Sequence, residues 1–499
     1  MQGIIAPASC GAFCYTFGMK SIKWRVYIKP FLIIFGIYCL AMIAIWHAGV
    51  SYADDAGRAI TGKGWTSDFN RYSSSLLSFL LVQMRFSLVD ISPLGQIIAM
   101  ALLTVATLIL VDLFGDKKKL SHLIVATLAG LTPFTLSLWL YKFDAPCMAL
   151  ALLACVLPFA IKFKKSWQFG LFSFFSLMIA LTSYQAFTGV YLLLLLALSF
   201  RDYLNKKPFD WQRIVFGLAS FLLALLVFKF AFPEPEGYRS LEMWSLGGFI
   251  PGVISNAGYV FAQIFTSFGR NWLIFLALVA IAFIISIILN SRRKGAQKSL
   301  EAFVAALFVA ISIPLSYGIY LALADAPYNP RSLIGIGVAF AIVALLTLRD
   351  KRQYFAIPAI ILVYLFTVYA FALGNGLKYQ QDYATYRNSE LATHLSEAYP
   401  SKDELSTKKV QIHGDIGLAE QNKHLSDLYP ITRDIIDAHQ TGLSSYTWGS
   451  WSLHVDYNLN YDYTGLLDAP YDCATFETKY DGYYERISEQ DNLICIEIK

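Results

Sequence analysis

Polar and apolar positions alternate along this chain in long blocks. Apolar segments near the ~20 residues needed to cross a bilayer occupy about 30–49, 91–114, 121–141, 145–162, 167–183, 185–200, 212–232, 271–290, 300–324, 331–348 and 354–374. They predict a mainly α, polytopic membrane protein, a bundle of about eleven transmembrane helices. The connections fall into two sets. KSIKWRVYIK, GDKKKL, KFKKSW, RDYLNKKPFDWQR, NSRRKGAQK and RDKRQ carry 21 Lys/Arg; 51–90, 141–144, the Tyr184 turn, 233–270 and 325–331 carry 8 over much more chain. The positive-inside rule puts the first set and the N-terminus in the cytoplasm. After an odd number of spans the chain beyond 376 lies outside. Leu246–Phe268 is apolar enough for a twelfth span, but a crossing there would move the later basic loops outside. Its Gly247, Gly248, Pro251, Gly252, Asn256, Gly258 and Gln263 suit a re-entrant or interfacial segment.

The first external loop, Ser51–Asp90, is amphipathic at helical period over Phe69–Phe86. Arg71, Ser74, Ser75, Ser78 and Arg85 share one arc; Phe69, Tyr72, Leu76, Phe79 and Leu80 share the opposite one. This predicts a helix lying flat in the outer interface, beside a lateral portal for a lipid-linked substrate. Two domains are expected: a membrane domain over 1–376 and an α/β domain over 377–499. In the second, Lys409–His413 reads as a strand, Leu418–Ala438 as helical and Tyr483–Ile498 as a hairpin around Gln490-Asp491-Asn492. Tyr and Trp are dense from Tyr446 to Tyr484. Packed core is one account of them; a sugar-stacking surface that includes Trp448 and Trp451 is another.

Composition sharpens this picture. The chain is 56% hydrophobic and 15% charged, with a mean hydropathy of +0.51; soluble proteins carry about a quarter charged residues. Residues 1–376 hold 30 Lys/Arg against 15 Asp/Glu, and residues 377–499 hold 10 against 20. A basic membrane domain therefore precedes an acidic domain. Met1–Lys20 does not read as a cleavable signal, and Lys20, Lys23, Arg25 and Lys29 form a basic lead-in to the first span. Cys39, Cys147 and Cys155 read as small core residues, while Cys473 and Cys495 could pair in an oxidising compartment. No Walker loop, HExxH, paired CxxC or strand-borne GxGxxG is present. No basic, aromatic-studded face for nucleic acid is present either.

Charge at the external helix ends supplies the candidate chemistry. Asp54 and Asp55 are either a solvated helix exit, with Asp54 pairing Arg58 at i,i+4, or a general base whose basicity rises by partial desolvation. In the tight turn Tyr141-Lys142-Phe143-Asp144, Asp144 is a ready N-cap and Lys142 points outward with it. Asn329-Pro330-Arg331 opens a late span. Asn329 would cap it, and Arg331 at a helix N-terminus suits a bound phosphate or snorkels to headgroups. Gln185 beside Tyr184 could bind sugar hydroxyls. Lys229 and His47 read as interface residues, and Arg239 and Glu242 lie in the second long loop without an assigned role.

These features in this order resemble one family. The external DDxxR followed by Gly64-Trp65, the external YKFD turn, the external Tyr184-Gln185 and the late Pro330-Arg331 are similar to the serotype-converting O-antigen glucosyltransferases (Gtr type) of Gram-negative bacteria and their phages. Those in turn resemble the GT-C superfamily of polyprenyl-phosphate-sugar transferases. The resemblance covers most of the membrane domain. It implies transfer of a hexose, glucose, from undecaprenyl phosphate to lipid-linked O-antigen on the periplasmic side of the inner membrane, with inversion. Asp54 or Asp55 would be the base, and Arg58, Lys142 and Arg331 would hold the donor phosphate. Asp144, Tyr184, Gln185 and Tyr328 would position sugar or acceptor. The acidic pair permits a divalent metal, Mg or Mn, without requiring one. A lipid-linked-sugar transporter or flippase would show internal repeats and midplane charges, and neither is evident. An O-antigen polymerase or ligase fits an acidic first loop less well.

Overall fold

The computed structural model describes residues 25–232, 243–245, 247–291, 294–349, 352–440, 453, 457–458 and 473–499. Arg239, Glu242, Trp448 and Trp451 lie outside them. The chain is mostly helical with one small sheet. Helix α1 (Arg25–Ala48) is followed by the short α2 (Asp55–Thr61), α3 (Thr66–Phe69) and α4 (Tyr72–Leu81), then by α5 (Leu94–Phe114). A bent run follows: α6 (Leu120–Ala126), α7 (Leu128–Leu131) and α8 (Pro133–Trp139), with a 67° change of direction before α8. Pro133 causes the break, because it lacks the N–H that would continue the ladder and forces Thr132 into extended backbone. Then come α9 (Ala145–Ala160), α10 (Ser166–Leu181), α11 (Thr188–Leu204), α12 (Trp211–Ala231), α13 (Phe249–Ser267), α14 (Arg270–Asn290), α15 (Ala296–Leu315), α16 (Gly335–Thr347) and α17 (Ile357–Ala398).

Among the described residues, eight helices are long and apolar enough to cross a membrane, or nine if the bent run is one span. All eleven expected segments are helical, but they are not eleven equal spans. α9 and α10 have 16 residues and α16 has 13, short of a ~20-residue crossing. Burial explains the shortness of α16: every one of its residues is buried by neighbouring helices, so it meets protein rather than lipid.

α13 passes the length test, buries Val260 and Ile264 in the core of the bundle, and makes polar and close contacts at one end of it. Near its N-terminus Gly252 sits against Trp244, whose N–H bonds Ala322 O at 3.2 Å. Midway, Asn256 Nδ2 donates to the carbonyls of Tyr320 (3.2 Å), Leu321 (3.1 Å) and Leu323 (2.9 Å). Its last turn leads through Gly269, which lies against Leu428, into α14. These contacts tie α13 to the bundle end that carries the acidic pair, called here the site end.

α4 is shorter than the expected Phe69–Phe86 helix, because Gln83 and Met84 take left-handed backbone. Its serine arc faces inward: Ser74 Oγ donates to Ser183 O (3.2 Å), Ser75 Oγ pairs Thr66 Oγ1 (2.6 Å), and Ser78 is buried. Tyr72, Leu76 and Leu80 are exposed. That polarity is inverted relative to a helix in water and suits a lipid surface.

α17 runs unbroken for 42 residues from the bundle into the tail, about 63 Å at 1.5 Å per residue. It crosses α1 closely at Gly374, where a Cβ would meet Ala44 C at 2.5 Å. The 376/377 boundary falls inside this helix. Beyond it come α18 (Lys402–Ser406), β1 (Lys409–His413), α19 (Glu420–Leu428) and α20 (Ile431–Gln440). The expected single helix over Leu418–Ala438 is thus two, divided at Tyr429-Pro430. Ile431, Ile435 and Ile436 are buried in the same core as the membrane helices. Strands β2 (Glu477–Asp481), β3 (Glu485–Gln490) and β4 (Leu493–Ile498) complete a sheet of order β1-β4-β3-β2. β1 is parallel to β4, and β3–β4 is the expected hairpin. Cys473 and Cys495 are joined.

Candidate active site

The site end is built on the exit from α1. After Ala48 the chain turns through Gly49 and Ala53, both with positive φ, and enters α2. The two aspartates part company here. Asp55 turns inward and is 1% exposed. Its carboxylate accepts the backbone N–H groups of Tyr52 (3.0 Å), Lys142 (3.0 Å) and Phe143 (3.5 Å). It ties the first loop to the turn after α8. Burial pushes its pKa up to about 7, although the Lys142, Tyr52 and Phe143 N–H groups favour the ion.

Asp54 stays accessible, with 30% of its side chain exposed, and accepts Arg58 Nη2 at 2.9 Å. Arg58 is the hub. Its Nε lies 3.4 Å from Asp144 Oδ2, its Nη1 donates to Lys63 O (3.3 Å), and its guanidinium sits over the Trp65 ring at 4.9 Å. Asp144 occupies the N-cap position of α9 but makes no side-chain cap bond. It faces Arg58 and, at 3.4 Å, Arg71 Nη1. Burial raises its pKa, Arg58 opposes that shift, and the Asp54 charge adds to it. Its role as a simple helix cap is therefore set aside.

Arg71 stacks over Tyr184 (5.2 Å). Tyr184 Oη in turn donates to Arg331 O (3.3 Å), and Arg331 Nη1 donates to Tyr141 Oη (2.7 Å). Asp54, Arg58, Asp144, Arg71, Tyr184, Tyr141 and Arg331 thus form one connected group of three guanidiniums and two carboxylates. Tyr52 braces it from behind. Its ring meets Tyr141 edge-on (4.9 Å) and its Oη donates to Ile435 O of α20 (2.8 Å).

Other expected members lie elsewhere. Lys142 sends Nζ toward Asp90 Oδ2 (3.6 Å) and lines a separate cavity of about 240 Å³ with Trp46, Tyr52 and Gln96. Tyr328 donates to Asn256 Oδ1 (2.7 Å) and meets the Tyr259 ring at a tilt (centroids 4.2 Å apart). Gln185 heads a 3₁₀ turn and makes no side-chain hydrogen bond to the connected group among the described residues. Arg331 is in a 3₁₀ turn, Pro330–Ser332, ahead of α16, whose N-cap is Ile334. Asn329 makes no cap bond. An anion there would therefore meet the guanidinium and not a helix dipole.

Sequence reasoning passed over Arg71 and Tyr141. Arg71 carried a signal, as the one arginine at the start of the serine arc. Tyr141 carried its place beside Lys142 only. The acidic pair does not fit a metal: Asp54 is engaged by Arg58, and Asp55 is filled by three N–H groups. Among the described residues His413 lies close to Cys473 and Cys495 in the tail, but both sulfurs are taken up in the disulfide and offer no thiolate.

The family model described as Glucosyl transferase GtrII matches residues 43–348, from the end of α1 through α16. No curated protein and no solved structure matches the chain.

Proposed function

Because this chain belongs to the GtrII glucosyl transferase family, we propose that it transfers glucose from undecaprenyl phosphate to lipid-linked O-antigen, at the periplasmic face of the bacterial inner membrane. The observation that carries the reading is the union of Asp54 with Arg58, Asp144, Arg71 and Arg331 at one end of an apolar bundle. Family membership makes the protein a glycosyltransferase; this cluster fits a phosphate leaving group.

The donor phosphate would displace Asp54 from Arg58 and engage Arg58, Arg71 and Arg331. Charge grows on that phosphate as the C1–O bond breaks, and fixed cations in a low-dielectric pocket stabilise it. Asp54, freed from its ion pair, would take the proton of the acceptor hydroxyl as its oxygen attacks C1 from the opposite face. One displacement inverts the anomeric centre and leaves no covalent enzyme intermediate. Asp55 is a positioning residue that holds the turn carrying Asp144. Tyr184 and Tyr141 orient the guanidiniums. The displacement is written with these side chains alone; Asp55, whose carboxylate is filled by three N–H groups, is closed to a metal.

The test is transfer of labelled glucose from polyprenyl-phosphate-glucose to O-antigen in membranes. Asp54→Asn should lose about 10²–10⁴-fold in rate, the usual worth of a general base, with unchanged protein level. Full activity in Asp54→Asn removes the base from this reading. No transfer by the wild type overturns the donor assignment.

A further inference from the structure

The end of the bundle opposite the acidic pair holds a second cavity, of about 360 Å³. A water's share of liquid volume is about 30 Å³, so the space takes a polar group of many atoms. Its walls are the C-terminal ends of α11, α14 and α16 and the first turns of α15. Asn205, Lys206, Asn290, Ser291, Glu301 and Arg349 line it.

The charges are layered. Glu301 is 4% exposed, a carboxylate buried where the only side-chain hydrogen bond described for it comes from Ser291 Oγ. Three helix C-termini converge on the same space, and each presents partial negative charge. The interior therefore favours a cation. Arg349 and Lys206 are exposed at the rim, and Arg349 is oriented by a 2.6 Å bond from Nη2 to Asn205 Oδ1. The rim favours an anion. Outside it the α14–α15 pair presents exposed Ile285, Leu289, Leu300 and Phe303, an apolar track toward the middle of the bundle.

We propose that this cavity binds a membrane glycerophospholipid whose headgroup ends in a primary amine. The ammonium enters toward Glu301, the phosphate rests on Arg349 and Lys206, and the acyl chains follow the apolar track. A headgroup lacking the amine leaves the Glu301 charge to Ser291 and to Arg349 at the rim alone, and a trimethylated amine cannot donate hydrogen bonds to it. The site is separate from the transfer chemistry and does not depend on the donor assignment.

The test uses the purified full chain in detergent, with the unfolding midpoint followed as lipids are added. A ligand that binds only the folded state raises the midpoint. Phosphatidylethanolamine should raise it by a few degrees, and phosphatidylglycerol and phosphatidylcholine by less than half as much. Glu301→Gln should abolish that preference. Arg349→Ala and the rim variant Lys206→Ala should weaken the shift for every phospholipid, with Lys206→Ala leaving the lipid-free midpoint in place. Equal shifts for all three lipids on the wild type overturn the proposal even if no variant folds. So does an ethanolamine preference that survives Glu301→Gln. An equal shift with soluble phosphoethanolamine overturns the lipid as the source.

Discussion

At the scale of residues, adjacent aspartates have been given opposite environments. The Asp54–Arg58 pair was legible, because i,i+4 spacing on any helix brings such groups together. The inward turn of Asp55 was not, because its partners are the N–H groups of Lys142 and Phe143, far along the chain. Asp55 has a pH signature with a definite sign. Burial holds its pKa near 7 in the fold, above the ordinary 3.8. The folded chain therefore keeps a proton that the unfolded chain gives up, and this contribution to stability is full below pH 3.8. It declines as pH rises toward 7 and is flat beyond, by at most about 1.4 kcal/mol per pH unit. The wild-type unfolding midpoint should fall across that window relative to Asp55→Asn, and a constant difference between the two would refute the assignment. Arg71 is the residue to test for donor phosphate. Losing a charged partner of this kind costs about 1.5–3 kcal/mol, so Arg71→Ala should lower kcat/KM for the donor by about 10–100-fold. A change confined to the acceptor KM would move Arg71 to the acceptor side.

At the scale of elements, apolar blocks located every helix of the bundle, but not their lengths. A hydropathy window reports greasiness and is blind to whether lipid or protein supplies the neighbours. α16, buried on all sides, therefore read like a full span. The break at Thr132-Pro133 was masked by the apolar residues on both sides of it. α1 and α17 show what the pattern conceals most completely, a contact of backbone on backbone. At Gly374 an added methyl would meet Ala44 C at 2.5 Å, whereas at Gly36 nothing lies within 4 Å. Gly374→Ala should force the two helices apart and destabilise by about 1–3 kcal/mol, as overpacking does. Gly36→Ala should leave the unfolding midpoint unchanged or slightly raised, since Ala favours helix. Equal effects of the two would mean that the crossing is looser than the structure places it.

At the scale of the whole molecule, sidedness follows from charge, and α13 decides whether that inference holds. The site end carries the sparsely basic connections and the opposite end the dense ones, with 8 and 21 Lys/Arg respectively. If α13 lies across the site end, Lys63 and Lys423 share one side of the membrane and Lys164 and Lys294 the other. If α13 crossed instead, Lys294 would join Lys63, and Lys423 would change sides. All four positions are exposed, so single cysteines there, in a chain lacking Cys10 and Cys14, report the arrangement directly. A membrane-impermeant maleimide added to cells with a permeable outer membrane should label positions 63 and 423. Positions 164 and 294 should label only after the inner membrane is broken. Labelling at 294 with protection at 423 would make α13 a true span. It would also separate α19 and α20 from the site end, which the Tyr52–Ile435 hydrogen bond joins to it. The structure resists that outcome for a physical reason. α20 buries Ile431, Ile435 and Ile436 in the core of the membrane helices, and a chain that moved them across the bilayer would expose that apolar surface and lose the brace behind Tyr141 and Asp55.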